Sequence, residues 1–222
     1  MAGLLVNDYL NNWNEAKESP EASKGLLRRA EKALAEALKI DPTVTAAHLA
    51  DGFIRRAKGD HQGALDAFDR AVQLDPNSAR AYAQKANQLV MVGRPKQAPP
   101  LVLKAIALSP RDPHVGTFYW VIGRAYFVMQ DYDDAIVWLR KAVEVRPNVW
   151  YSRAYLIAAA AHLGQQEQPE ARAALSDYNE KFSGYTVQRI RDLYEKELPH
   201  TDPLMQASIQ ALYNGLQKAG IP

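Results

Sequence analysis

Cysteine is missing from this 222-residue chain, and its absence excludes disulfide bonds and metal sites with cysteine ligands. No run of about 18 apolar residues is present, so the sequence contains no candidate membrane-spanning helix. The net charge is only +2, which argues against a dedicated nucleic-acid-binding protein. The first residues lack a basic segment and a long apolar core, so they do not fit a secretory signal. We therefore predict a cytoplasmic protein with no direct membrane or nucleic-acid partner.

Motifs for catalysis and metal binding are missing as well. None of the histidines lies in an HExxH motif or beside a carboxylate at ligand spacing. The chain has no glycine-rich phosphate loop and no GxSxG motif. The acidic turn at residues 131–134 lacks the glycine and glutamate of a calcium loop, and fits a turn with a helix cap better. We predict no catalytic residue, no cofactor and no metal, and therefore a protein that is not an enzyme.

A helix–turn–helix pattern is the main positive signal, and it is clearest in residues 116–147. Tyr119, Ile122 and Tyr126 follow spacings of three and four residues, which place them on one face of a helix. A break and a second periodic run follow, and Pro147 ends that run because proline cannot continue a helix. The stretch is therefore a predicted pair of helices.

The same unit recurs at a fixed period. Pro42, Pro76 and Pro110 are separated by 34 residues each, and the interval to Pro147 is 37. Small residues let two helices approach closely, and a bulky residue fills the space beside them. Before each proline, two alanines flank an apolar residue: Ala30/Leu34/Ala37, Ala64/Phe68/Ala71, Ala98/Val102/Ala105 and Ala135/Leu139/Ala142.

A 34-residue period with small, bulky and proline positions resembles the tetratricopeptide repeat. The resemblance covers roughly residues 4–182. It implies an all-α fold, a right-handed α-solenoid of antiparallel helix pairs, with units that end near residues 42, 76, 110, 147 and 182. One pair cannot bury its apolar face alone, so neighbouring units must stack. We predict a repeat array over residues 1–183 and a C-terminal helical cap over residues 184–222.

Two prolines disturb the third unit. Pro99 and Pro100 fit only the first turn of a helix, where backbone N–H groups have no partner within the helix. The second helix of this unit should therefore start late, near Pro99. Ala98 should be biased towards an extended conformation, because a proline follows it.

The first unit should begin with a helix over residues 4–17. After the array, spacing and caps predict two more helices. Thr186 fits the cap of a helix over 187–197, and Asp202 with the following proline fits the start of a last helix over 203–219. The last helix should bury an apolar face on preceding helices, formed by Leu204, Ile209, Leu212, Tyr213 and Leu216.

The C-terminal tail carries a second likeness. It resembles the ends of tetratricopeptide arrays in proteobacterial proteins that carry a nucleotide cyclase or a winged-helix DNA-binding domain upstream. Residues 184–186, Asp202 and residues 215–222 carry this likeness. The chain contains no cyclase or winged-helix sequence, so it is either a fragment or a free-standing relative. The likeness implies the regulatory part of a bacterial signalling system, with a fused or separate effector.

In the repeat family the first helix of each unit lines a concave groove. Rotation by about 100° per residue from the packing face gives the next face of the helix. Aromatic rings on such a face supply contact area, and polar ends fix the register of a peptide. We predict a groove for a protein or peptide, formed by Arg80, Gln84, Asn87, Trp120, Arg124, Phe127, Tyr151 and Tyr155.

Some family members clamp a peptide's terminal carboxylate with Lys, Asn and Arg at set groove positions. Here those positions hold residues such as Ala83, Val121, Tyr151 and Tyr155, so that clamp is not expected. The alternative for the groove aromatics is that they fill the interior or meet the C-terminal helices.

Two functions fit this pattern. The first is a non-catalytic interaction module that binds a protein or peptide in the groove. The second is a structural or self-associating scaffold whose groove holds its own last helix, with homo-oligomers among its forms. The last helix could pack on the end of the fifth unit or enter the groove beside Trp120 and Tyr155. The short connection over residues 198–202 favours the end of the fifth unit.

Overall fold

A computed structural model describes residues 20–197 and 202–222. Within these ranges the chain forms eleven α-helices and no strand, which confirms the all-α class. The predicted helix over residues 4–17 lies outside the described residues. The helices are α1 (Pro20–Ile40), α2 (Thr45–Ala57), α3 (His61–Leu74), α4 (Ala79–Met91), α5 (Ala98–Leu108), α6 (Val115–Val128), α7 (Tyr132–Val145), α8 (Trp150–His162), α9 (Pro169–Lys181), α10 (Val187–Glu197) and α11 (Pro203–Lys218).

The chain divides into two compact units, Met1–Gln88 and Leu89–Pro222. The first contains α1 to α3 and most of α4, and the second contains the end of α4 and the helices from α5 to α11.

In the first unit, α2 and α3 pack closely against each other through the small–bulky–small pattern of α3. Ala64, Phe68 and Ala71 of α3 are completely buried. Gly52 of α2 lies so close to the Phe68 ring that a Cβ atom there would come within 2.4 Å of a ring carbon. The Phe53 ring meets the Phe68 ring edge-on, with a centroid distance of 5.6 Å. Full burial of one such side chain stabilises a fold by about 1.5–3 kcal/mol, so this close contact is a main source of the pair's stability.

The turn between these two helices follows from two residues. Gly59 has a φ of 78°, a left-handed conformation that glycine adopts without a steric penalty. The Asp60 carboxylate then accepts a hydrogen bond from the backbone N–H of Gly63 at 2.9 Å and caps α3.

The same pattern joins α6 and α7 in the second unit. Ala135, Leu139 and Ala142 of α7 are completely buried, as predicted. A Cβ atom at Gly123 of α6 would come within 2.8 Å of the Leu139 Cγ atom. The glycine therefore lets the two helix backbones approach each other, as the small position of the repeat requires.

The start of α5 is delayed, as predicted. The helices α3 and α7 begin three residues before Ala64 and Ala135, whereas α5 begins at the equivalent Ala98 itself. A 3₁₀ turn at Pro95–Gln97 replaces the missing α-helical turn. The expected extended conformation of Ala98 is wrong, because its φ of −76° and ψ of −45° are helical. Its backbone N–H donates to the Pro95 carbonyl oxygen, and this bond holds it in the helical region.

The tail helices begin where the caps predict. The Thr186 Oγ1 atom accepts a hydrogen bond from the Arg189 backbone N–H at 3.1 Å, at the start of α10. The Asp202 carboxylate accepts from the first backbone N–H groups of α11. The buried face of α11 differs from the prediction at Leu204, which is 36% exposed. The neighbouring helices set this face, which contains Met205, Ser208, Leu212, Tyr213, Gly215 and Leu216.

The last helix lies on the first helices of the fourth and fifth units. It packs mainly against α8, and it also contacts α6 and α10. Gly215 sits against Ala158 of α8, where an added Cβ atom would come within 2.7 Å of the Ala158 backbone. The His162 Nε2 atom lies 2.8 Å from the Ala211 carbonyl oxygen. The helix α11 thus contacts the first helix of the fourth unit as well as the fifth unit, and Gly215 allows its close approach to α8.

Candidate protein-interaction site

Three of the predicted groove residues lie in the first unit, on α4. Gln84 is 9% exposed, and its side-chain oxygen accepts hydrogen bonds at 3.3 Å from both terminal nitrogens of Arg56. The Arg80 guanidinium lies 5.7 Å from the centroid of the Phe53 ring. Asn87 is buried, and its Oδ1 atom has no hydrogen-bond partner in the described ranges. Gln84 and Arg80 therefore face α2, because the previous helix pair supplies their partners.

A polar network surrounds Arg56. Its Nε atom donates to the buried Gln88 side chain at 2.9 Å, and its guanidinium lies 5.0 Å from the Phe68 centroid. The Gln88 side-chain nitrogen donates to the His61 carbonyl oxygen at 2.9 Å. Burial, with a smaller contribution from Arg56, lowers the pKa of His61, so this imidazole is neutral at pH 7. These mutual bonds indicate a structural role for the network.

Two predicted aromatic residues of the second unit lie inside the core. The Phe127 ring is completely buried, and its centroid is 4.9 Å from that of the buried Tyr155. Both residues share a hydrophobic cluster with Leu212 and Leu216 of α11. As placed here they are not available to a ligand, because the C-terminal helix completes the cluster around them.

Tyr155 also meets a residue of α10 that is not among the predicted groove residues. The hydroxyl groups of Tyr155 and Tyr194 form a hydrogen bond with each other. Burial raises the pKa of both phenols, and the nearby Arg124 partly opposes this rise. Both phenols are therefore neutral at physiological pH. The spacing along α10 identifies Tyr194 as inward-facing, but it gives no signal for the pairing with Tyr155.

The remaining three predicted residues form a compact group, which we call the Trp120 cluster: Trp120 and Arg124 of α6, and Tyr151 of α8. The Trp120 and Tyr151 rings are half-buried, and their centroids are 4.7 Å apart. The Arg124 guanidinium carbon lies 4.9 Å from the centroid of a Trp120 ring. Residues 120 and 124 are one helical turn apart, so they share a face of α6.

Arg124 is only 7% exposed, and it has few polar contacts. Its Nε and Nη2 atoms are buried without a hydrogen-bond partner in residues 20–197 and 202–222, and so is the Nε1 atom of Trp120. A buried charge without a hydrogen-bonded counter-charge is costly to a fold. The Trp120 ring offsets part of this cost by a cation–π contact, worth about 0.5–2 kcal/mol. The cluster thus presents donors without acceptors.

A separate surface pocket of about 440 Å³ lies between α7, α8 and the segment around the start of α9. It contains none of the predicted groove residues. Its lining is mixed, with four apolar residues and four charged or amide residues: Ile136, Leu156, Ala160, Ala171, Arg140, Glu144, Gln165 and Gln168.

The described residues contain no group of three or more His, Asp or Glu side chains placed to hold a metal ion. None of their helices has the length and apolar character needed to cross a bilayer.

Comparisons of sequence give one family. A family model described as the tetratricopeptide repeat matches residues 21–79, and another with the same description matches residues 116–149. Small glutamine-rich tetratricopeptide repeat-containing protein 2 of Mycosarcoma maydis is 27% identical over 125 residues, which are 56% of this chain and 35% of that protein. Tetratricopeptide repeat protein 6 of Homo sapiens is 27% identical over 182 residues, 80% of this chain and 32% of that protein. The chain thus matches about a third of the length of these curated relatives.

Comparisons with solved structures also find helical repeat proteins. PilW, described as a widely conserved type IV pilus biogenesis factor, superposes with a TM-score of 0.69 at 16% identity, over 98% of this chain and 91% of that chain. YrrB, described as a TPR protein with an unusual peptide-binding site, superposes with a TM-score of 0.54 at 19% identity, over 86% of this chain and 91% of that chain. These likenesses show the fold, an α-solenoid of helix pairs.

Proposed function

We propose that this chain, a tetratricopeptide-repeat protein, is a non-catalytic interaction module that binds a segment of a partner protein along α6 and α8. The Trp120 cluster carries this proposal, because two half-buried rings are in contact and the Arg124 cation beside Trp120 has two nitrogens without an acceptor among the described residues. Tryptophan, tyrosine and arginine are the residues that dominate binding energy at protein interfaces. YrrB, which has the same fold, is described as having a peptide-binding site, and this supports a peptide as the class of ligand.

The cluster joins two neighbouring helix pairs. Trp120 lies on α6 and Tyr151 at the start of α8, so one ligand segment would contact both helices. Ring faces supply apolar contact to an extended or helical segment, and polar groups fix its register.

The cellular context is part of the proposal. We place the chain in the bacterial cytoplasm as the regulatory part of a signalling system, with a fused or separate cyclase or winged-helix effector. Support comes from the C-terminal likeness, since Thr186 and Asp202, which belong to the similar segments, also cap α10 and α11. The residues that carry the likeness are therefore among those that shape the tail.

The position of α11 favours a second candidate function, a scaffold whose groove is occupied by its own last helix. In the repeat family the first helices line the groove, and here α11 packs on two of them, α6 and α8. Under this alternative, α11 competes with a partner segment or a second copy of the chain. The two candidates differ in whether α11 must leave before a partner binds.

Affinity capture from a lysate of the source cells tests the first candidate. We expect the double substitution Trp120→Ala/Arg124→Ala to lose the protein that the unchanged chain captures. Trp138→Ala/Lys141→Ala is the matched control, because Lys141 lies 4.3 Å from the Trp138 ring on α7, a helix that contributes no residue to the cluster. Equal capture by both variants, with circular dichroism showing both folded, would refute the assignment of the site.

A wedge in the α11 contact tests the second candidate. Gly215→Val places a side chain against the Ala158 backbone and should lift α11 from α8. Gly184→Ala is the control, since no atom lies within 4 Å of a Cβ atom there. If α11 is a competitor, Gly215→Val increases capture of the partner. If α11 serves only as a cap, the variant melts at a lower temperature or aggregates and captures no more than the control.

A further inference from the structure

The unpartnered atoms of Arg124 form one edge of its guanidinium group. Nε and Nη2 lie side by side, and this edge binds the two oxygens of a carboxylate through parallel hydrogen bonds. Both atoms are buried without a partner among the described residues, and the Trp120 Nε1 atom is in the same state. Arginine and tryptophan side chains offer donors only, so the missing group must be an acceptor.

Three of the surrounding helices supply no carboxylate, because the sequences of α6, α8 and α11 contain no aspartate and no glutamate. On α10, the Asp192 carboxylate accepts a hydrogen bond from the Gln188 side chain. The nearby Tyr155 and Tyr194 hydroxyls interact with each other and carry no negative charge. These three helices therefore carry no negative charge of their own for Arg124.

We infer that the Trp120 cluster binds a carboxylate of a partner segment, with Arg124 as the charge partner and Trp120 as a further donor. This inference rests on the proposed function and adds the chemical class of the group that is recognised. One carboxylate balances one guanidinium, whereas a phosphate dianion would leave excess charge among the aromatic rings. Trp120 covers a face of the guanidinium, and the half-buried Tyr151 ring lies against Trp120.

Nuclear magnetic resonance of the full chain, labelled with ¹⁵N, tests this with defined probes. N-acetylglutamate amide supplies a side-chain carboxylate, N-acetylalanine supplies a terminal carboxylate, and N-acetylglutamine amide is the neutral control. We expect at least one carboxylate probe to move the Trp120 indole and Arg124 Nε–H signals in a saturable way, and the stronger probe identifies the source. The Trp138 indole signal on α7 should stay in place as the internal reference.

Arg124→Gln separates binding from folding. We expect it to weaken the carboxylate probe at least tenfold while the melting temperature stays the same or rises, because a buried unpaired charge has been removed. The probe should raise the melting temperature of the unchanged chain and not that of the variant. A purely structural role for Arg124 would instead lower the melting temperature of the variant in the absence of probe.

Several results would overturn the inference: no saturable shift, an equal shift with the glutamine probe, a response to inorganic phosphate alone, or undiminished binding by Arg124→Gln. Failure of the proposed function looks different. If Trp120→Ala abolishes partner capture and Arg124→Gln does not, the site binds its partner without a carboxylate, and only the inference fails. If neither change affects capture, the proposed function fails, whatever the probes show.

Discussion

Two buried arginines lie on neighbouring first helices of the second unit, and they differ in their hydrogen bonds. Arg153 of α8 is 3% exposed, and its Nη2 atom donates to the Asp177 carboxylate at 2.6 Å. Its Nη1 atom donates to the Pro147 carbonyl oxygen, while its Nε atom has no partner within the described residues. Arg124 of α6 is 7% exposed, and two of its nitrogens are buried without an acceptor in that same part of the chain.

The aromatic surroundings do not explain this difference. The Arg153 guanidinium lies 5.6 Å from the centroid of Phe182, and that of Arg124 lies 4.9 Å from a ring of Trp120. Both cations therefore have a similar cation–π contact. What distinguishes them is the acceptor, which the described residues supply for two nitrogens of Arg153 and do not supply for the Nε and Nη2 atoms of Arg124. Burial of a cation thus indicates a structural role only where its counter-charge is present.

The largest effect should come from Arg153→Met. We expect the free energy of unfolding to fall by roughly 2–3 kcal/mol, because the change removes a hydrogen bond to the Asp177 carboxylate and the donor to the Pro147 carbonyl oxygen. Urea denaturation followed by circular dichroism measures it. Arg172→Met is the control, since Arg172 and its partner Glu167 are 67% and 73% exposed, and such surface pairs contribute under about 1 kcal/mol. Similar losses for both variants would contradict a structural role for Arg153.

A smaller change of opposite sign is expected for Arg124→Met. Methionine removes the unpaired buried charge, so the free energy of unfolding should rise by roughly 1 kcal/mol after loss of the cation–π contact. The same urea titration measures it. A decrease as large as that of Arg153→Met would remove the contrast between the two sites.

The helix pairs could be predicted from the sequence because one physical requirement recurs every 34 residues. Ala64, Phe68 and Ala71 are buried together because close helix contact needs small residues around a large one. Gly52 was not singled out, although it lies 12 residues before Ala64, as Gly123 lies before Ala135. Its contact with Phe68 could have been found from that offset.

The candidate site was less predictable, because periodicity gives a face of a helix and not the neighbour that meets it. Gln84 lies on the expected helix, yet its partner Arg56 comes from the preceding helix pair. On α11, the spacing selects Leu204, but contact with α6 and α8 turns Met205 inward. Only packing between units determines such choices, and Trp120 with Arg124 stands out only after the absence of acceptors around them is known.

The smallest predicted effect concerns pH, and it tests the counter-charge of Arg153 directly. The Lys181 ammonium, followed by Arg153, lowers the pKa of Asp177 below its ordinary value near 3.8. A carboxyl group with a depressed pKa in the folded state contributes stability above its unfolded pKa, and this contribution is lost as the pH falls through the folded pKa. The Asp177 side chain is 39% exposed, so water screens the interaction and keeps the effect small.

We therefore expect Asp177→Asn to be less stable than the unchanged chain above about pH 4, with the difference shrinking below that pH. Urea midpoints measured across this pH range give the stability of the unchanged chain and of the variant as a function of pH. A difference that stays constant through the acid range would show that Asp177 stabilises the fold by packing. Arg153 would then lack an effective counter-charge, as Arg124 does among the described residues.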